Sequence, residues 1–144
     1  MVGNTLASLA DPRVLAAVSP SDEESFDPAD FLRRRGTLYL FGTASCTSAT
    51  AGLVSALIED VVEVAHPMAA ASLGARPDPP LAFILDEAAN YPLPSLESLM
   101  SEGGGTGIPT MVVLQSLAQA RDRWGSETAG ADSPLLRLTY LRWA

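Results

Sequence analysis

Apolar positions cluster along this chain with two different periods. Short apolar runs appear at 37–42 (TLYLFG), 81–85 (LAFIL) and 108–116 (IPTMVVLQS). Each is too short for a buried helix and is bounded by turn residues, so each predicts a buried strand. Between the first two runs, AGLVSALIEDVVEVAHPMAAAS places Val54, Leu57, Val61 and Ala65 on one stripe. Glu59, Asp60 and Glu63 lie mainly opposite, which predicts a helix that Pro67 either kinks or ends.

Smaller helices follow from capping signals. Asp11 with Pro12 opens one helix and Ser19-Pro20 stops it. Asp27 with Pro28 opens a second, with Phe31 and Leu32 inward and Gly36 as its end. Arg33, Arg34 and Arg35 fall in the last turn of that helix, where they favour its negative end. PSLESLMSEGGG predicts a helix from Ser95 with Leu96, Leu99 and Met100 inward and Gly103 ending it. LAQARDRW predicts a last helix closed by Gly125. Segments 43–50 and 73–80 read as a turn and a loop. Strands alternating with helices predict an α/β fold with a parallel sheet covered on both faces.

Composition narrows the chemistry. The apolar fraction of 47% and the dispersed charges are those of a globular chain, and the length fits one domain. No apolar run is long enough for a membrane span, so the expected location is cytoplasmic. All nine basic residues are arginine, which excludes a Ser–Lys dyad, a Schiff base and a phosphate-loop lysine. A net charge of −8 argues against this chain alone gripping a nucleic-acid backbone. Cys46 is the single cysteine and His66 the single histidine. They read as a small turn residue and a surface residue near a helix end, not as ligands.

Candidate chemistry lies at the strand ends. Open parallel sheets bind ligands at the carboxyl ends of their strands. Asp86 and Glu87 end the 81–85 run, and Gln115 ends the next. If those strands are neighbours, the three side chains share one crevice, as in a nucleotide hydrolase. There one carboxylate helps hold Mg²⁺, a second orients or deprotonates water, and an amide senses the γ-phosphate or the water. GGGTG at 103–107 follows a helix and precedes a strand, the reverse of a phosphate loop. It reads as a flexible connection.

The block FILDEAANYPLPSLESLMSEGGGTGIPTMVVLQSLAQARDRWG (83–125) resembles the conjugative coupling ATPases. These are the TraG/TraD-like hexameric, membrane-anchored DNA pumps of type IV secretion systems, here of the actinobacterial kind. VSPSDEESFDPADFLRRRGTLYLFG (18–42) is similar to the part preceding that block. The resemblance implies a partial RecA-like motor at 36–128, led into by short helices over 1–35. It implies Asp86 and Glu87 as the Walker B pair, with Asp86 on the metal and Glu87 catalytic, and Gln115 as the glutamine motif. It also implies ATP and Mg²⁺, single-stranded DNA carrying a relaxase, the secretion channel and a homo-hexamer.

The chain departs from the family in three places. Walker A is absent, so the phosphate cradle would lie upstream of Met1. Gly104 stands where some relatives carry a basic residue. Arg121 and Arg123 could substitute for it, although they read better as exposed helix charges. Residues 129–144 diverge from the family pattern. The expectation is therefore the Walker B half of a motor domain, truncated at both ends and inactive by itself. The glutamine strand around 112–114 would be left with an open edge where the Walker A strand belongs.

A non-catalytic module docking on intact coupling-protein subunits or secretion partners is the alternative. A DEAD/DEAH-like helicase fits poorly, because Ser48-Ala49-Thr50 precedes the DEAA sequence that it should follow.

Overall fold

A computed structural model describes residues 10, 12–21, 23–41, 49–91 and 93–125. Its helices are α1 (Pro12–Ala17), α2 (Pro28–Arg33), α3 (Ala49–Ala71), α4 (Leu96–Thr106) and α5 (Leu117–Trp124). The strands are β1 (Phe83–Leu85) and β2 (Thr110–Val112), and 3₁₀ turns occupy Leu73–Ala75 and Ala88–Asn90. Of the turn predicted at 43–50, residues 43–48 lie outside the described residues, as do the Asp11 cap, Cys46 and the 129–144 tail, while Ala49 and Thr50 already belong to α3.

β1 and β2 pair in parallel, Phe83 with Thr110, Ile84 with Met111 and Leu85 with Val112. Helix α4 is the crossover that a parallel pair requires. The result is α/β, with a two-stranded parallel sheet flanked by helices. The helix signals at Asp27-Pro28 hold, since Asp27 Oδ1 accepts from the Ala29 amide at 2.8 Å. Likewise, Ser116 accepts from the Gln119 amide at the start of α5.

The core lies where α3 and α4 meet one face of the sheet. Ile58, Val62, Ala65, Leu93, Leu96, Leu99 and Ile108 are buried together, with Phe83, Leu85 and Val112 packed against them. Glu59, predicted on the polar side of α3, reaches across to α4. Its Oε1 accepts from the Ser95 amide at 3.0 Å and from Ser95 Oγ at 2.9 Å. An acidic oxygen there satisfies amide donors that the start of a helix leaves open.

Five sequence expectations are corrected. The 37–41 segment is not a buried strand: it pairs with neither β1 nor β2, and Tyr39 is 76% and Phe41 91% exposed. An apolar run specifies a strand only where a neighbour completes its hydrogen bonds.

Among the described residues the sheet is covered on one face only, because Ile84 and Met111 point outward, 69% and 53% exposed. The predicted stripe on α3 is rotated. Val61 and Ala65 are buried with Ile58 and Val62, while Val54 and Leu57 are half-buried and line a groove. Of the two readings left open for Pro67, ending the helix is excluded: it lies inside α3, which continues to Ala71.

Gly103 does not end α4 either, and the glycines are not a flexible connection. Gly103, Gly104 and Gly105 are helical, and Gly107 closes the helix at φ +76°. Gly103 is buried because a Cβ there would overlap the Ile108 carbonyl oxygen. Arg76 Nε donates to the Gly105 carbonyl at 2.7 Å and fixes the glycine-rich end with a cation at the negative pole. Tertiary contacts thus override the poor helix propensity of glycine.

Candidate functional site at the carboxyl ends of the strands

The parallel ladder brings the end of β1 beside the end of β2. Past the paired residues, the Val113 amide donates to the Leu85 carbonyl at 2.9 Å, and the Ala88 amide to the Val113 carbonyl at 3.4 Å. The second of these bonds curls the chain at 86–88 over the neighbouring strand. Glu87 makes that turn in the left-handed region, φ 50° and ψ 40°. A non-glycine residue held there stores on the order of 1–3 kcal/mol of strain, which the surrounding bonds must offset.

Those bonds fall on the Glu87 carboxylate. Gln115 Nε2 donates to Oε1 at 2.6 Å, and Asn90 Nδ2 donates to Oε2 at 3.1 Å. Gln115 is itself positioned by α5, its amide donating to Gln119 Oε1 at 3.3 Å. Gln119 in turn belongs to the α5 cap through Ser116. Ala88, Ala89 and Ala120 are buried, and small residues let α5 sit close to the turn.

Asp86 is exposed, and one of its oxygens, Oδ1, accepts from the Glu87 amide at 3.0 Å. Of the three predicted residues, then, Glu87 and Gln115 are in direct contact. Asp86 adjoins them through the backbone and presents its carboxylate to solvent. Asn90 and Gln119 complete the arrangement and were missed from the sequence. Their signal is helical spacing, three residues after Glu87 and four after Gln115.

The cluster is two carboxylates, Asp86 and Glu87, with the side-chain amides of Asn90, Gln115 and Gln119, and no cation among them. Among the described residues no group of three or more His, Cys, Asp or Glu could hold a metal ion by itself. No lysine exists to meet a triphosphate. Gly104 is exposed on α4 and has open space where a side chain would stand. Arg121 and Arg123 are exposed in the last turn of α5, as helix charges.

Residues 80–132 match the family model described as the TraM recognition site of TraD and TraG. That segment is TraG/TraD-like. The match bears out the resemblance carried by 83–125 and spans both strands, α4, α5 and the Glu87–Gln115 pair. No curated protein and no solved structure matches the chain. Among the described residues, no helix is long and apolar enough to cross a membrane.

Proposed function

We propose that this chain contributes the Walker B and glutamine half of the ATP site of a conjugative coupling protein, on a partial RecA-like sheet. The observation that carries the reading is the 2.6 Å contact between Gln115 and Glu87 across adjacent parallel strand ends. The TraD/TraG match over the same residues supports it. Mg²⁺-ATP, when bound, supplies the phosphoanhydride and the charge that polarises it.

Within this chain, Asp86 offers its exposed carboxylate to the metal. Glu87 takes up the proton of the attacking water, and Gln115 holds the Glu87 carboxylate in place and registers what lies beside it. Strain at Glu87 and its two side-chain partners keep the carboxylate in one orientation before any substrate arrives. The partners this reading brings are a TraM-type relaxosome component, single-stranded DNA with its relaxase, the secretion channel and further copies in a hexamer. The DNA would be held by the assembly, because a chain with a net charge of −8 is repelled by a nucleic-acid backbone.

The chain alone is expected not to hydrolyse ATP, since nothing in it grips the triphosphate. The test mixes the full chain with a coupling-protein segment carrying a Walker A loop. Mg²⁺-ATP hydrolysis should appear only in the mixture and be lost with Glu87→Gln. Hydrolysis by the chain alone that disappears with Glu87→Gln would overturn the inactivity.

A second reading, a non-catalytic module docking on intact subunits, is favoured by the outward Ile84, Met111 and Val113. It predicts capture by an intact coupling protein that Glu87→Gln leaves unchanged.

A further inference from the structure

The loop between α3 and β1 carries an arginine that is fixed at two points and paired with no acid. Arg76 Nε donates to the Gly105 carbonyl at 2.7 Å. The stem of the same side chain closes on Gly107, where an added Cβ would come within 3.0 Å of Arg76 Cβ and 2.7 Å of Pro77 Cδ. Arg76 is exposed, and among the described residues no carboxylate pairs with it. The two terminal NH₂ groups of the guanidinium are thus left as an open fork. Long basic side chains lose rotamer freedom when they bind a ligand. Arg76 has given up that freedom in advance, so its fork is preorganised.

The backbone beside it is bare without a packing reason. Gly103 is glycine because the Ile108 carbonyl leaves no room for a Cβ, whereas Gly104 and Gly105 have nothing within 4 Å of the place where one would stand. Both are exposed and helical, a conformation that alanine adopts more favourably. Glycines that weaken a helix and fill no tight space fit a surface that another molecule approaches closely.

This rim is separate from the Glu87–Gln115 pair. The Gly107 carbonyl accepts from the Leu81 amide at 3.1 Å, where the pairing of the two strands begins. Glu87 and Gln115 lie past its other end, beyond Leu85 and Val113. The stretch from Leu81 to Leu85 alone spans roughly 13 Å.

We propose that Arg76 and the bare Gly104–Gly105 backbone form a second ligand site, which takes the terminal phosphate of a small polyphosphate. A guanidinium fork matches two oxygens of one phosphate, and a doubly charged terminal phosphate gains more from it than a carboxylate does. The negative end of α4 and the exposed Glu102 oppose an anion, so the fork alone supplies the attraction and binding is weak. A nucleic-acid strand would run on against the net charge of −8, whereas a short polyphosphate touches one fork only.

NMR on the full chain, with sodium tripolyphosphate as the probe, tests this. The Arg76 side-chain N–H and the Gly104 and Gly105 amides should shift along one saturating curve. Arg76→Gln should weaken binding at least about tenfold. Arg76→Lys should weaken it too, because an ammonium lacks the fork. Gly105→Leu keeps Arg76 and its carbonyl partner but fills the open space, so it should weaken binding without disturbing the core. Glu87→Gln should leave the curve unchanged. ATP should move the same signals, and a short single-stranded oligonucleotide should not. Absence of shifts in the unmutated chain overturns the proposal, as do shifts that survive Arg76→Gln or Gly105→Leu. Tighter binding of the oligonucleotide than of tripolyphosphate would overturn it as well, by assigning the fork to a nucleic-acid backbone.

Discussion

The two faces of the β1–β2 pair are built from the same kinds of residue and have opposite surroundings. On one face Phe83, Leu85 and Val112 pack against Leu96, Leu99 and Ile108. On the other, Ile84, Met111 and Val113 meet solvent. The strand sequences do not encode this asymmetry, since both faces are apolar. It comes from where α3 and α4 pack. An apolar face on which none of the described residues packs is unusual in a parallel sheet, whose two faces are ordinarily both covered.

Substitutions on the two faces separate them by magnitude. Leu99→Ala, at 1% exposure, should cost about 2–5 kcal/mol in urea unfolding. A loss below about 1 kcal/mol would mean that the covered face is loosely packed. Gly103→Ala comes next, at about 1–3 kcal/mol, because its Cβ has no room against the Ile108 backbone.

At the strand ends, Glu87→Gly should be more stable than Glu87→Ala by about 1 kcal/mol. Both lose the Gln115 and Asn90 bonds, but only alanine retains the left-handed strain. Gly104→Ala should stabilise the chain by about 0.5–1 kcal/mol, as a helical glycine with open space around it. The smallest change is expected for Ile84→Ala, within about 0.5 kcal/mol. A large loss there would show that the open face is covered in solution.

Much of this was legible in the sequence. The 81–85 and 108–116 runs locate β1 and β2, and the capping signals locate α2, α4 and α5, because each carries its own local punctuation. Glu87 and Gln115 were legible as strand-end residues, and the ladder does bring them together. What failed depends on contacts distant in the chain. Gly103 looked like a stop, yet it is a helical residue selected by the Ile108 carbonyl. Residues 37–41 have the composition of a strand, but pairing needs an edge that sequence cannot place. On α3, periodicity identified the helix correctly. Its deepest side is rotated because Ile58 and Val62 are buried in one cluster with Leu93, Leu96 and Leu99, whereas Val54 and Leu57 are only half-buried.

The central claim is that Glu87 and Gln115 work as one unit in an ATP site whose other half comes from elsewhere. The most direct test is Mg²⁺-ATP hydrolysis by the full chain mixed with a Walker A-bearing coupling-protein segment, with Glu87→Gln, Gln115→Ala and the double variant compared. Groups that act as a unit lose activity non-additively. The account predicts that the double variant is no slower than Glu87→Gln alone. Losses that multiply, or hydrolysis that persists in Glu87→Gln, would contradict it.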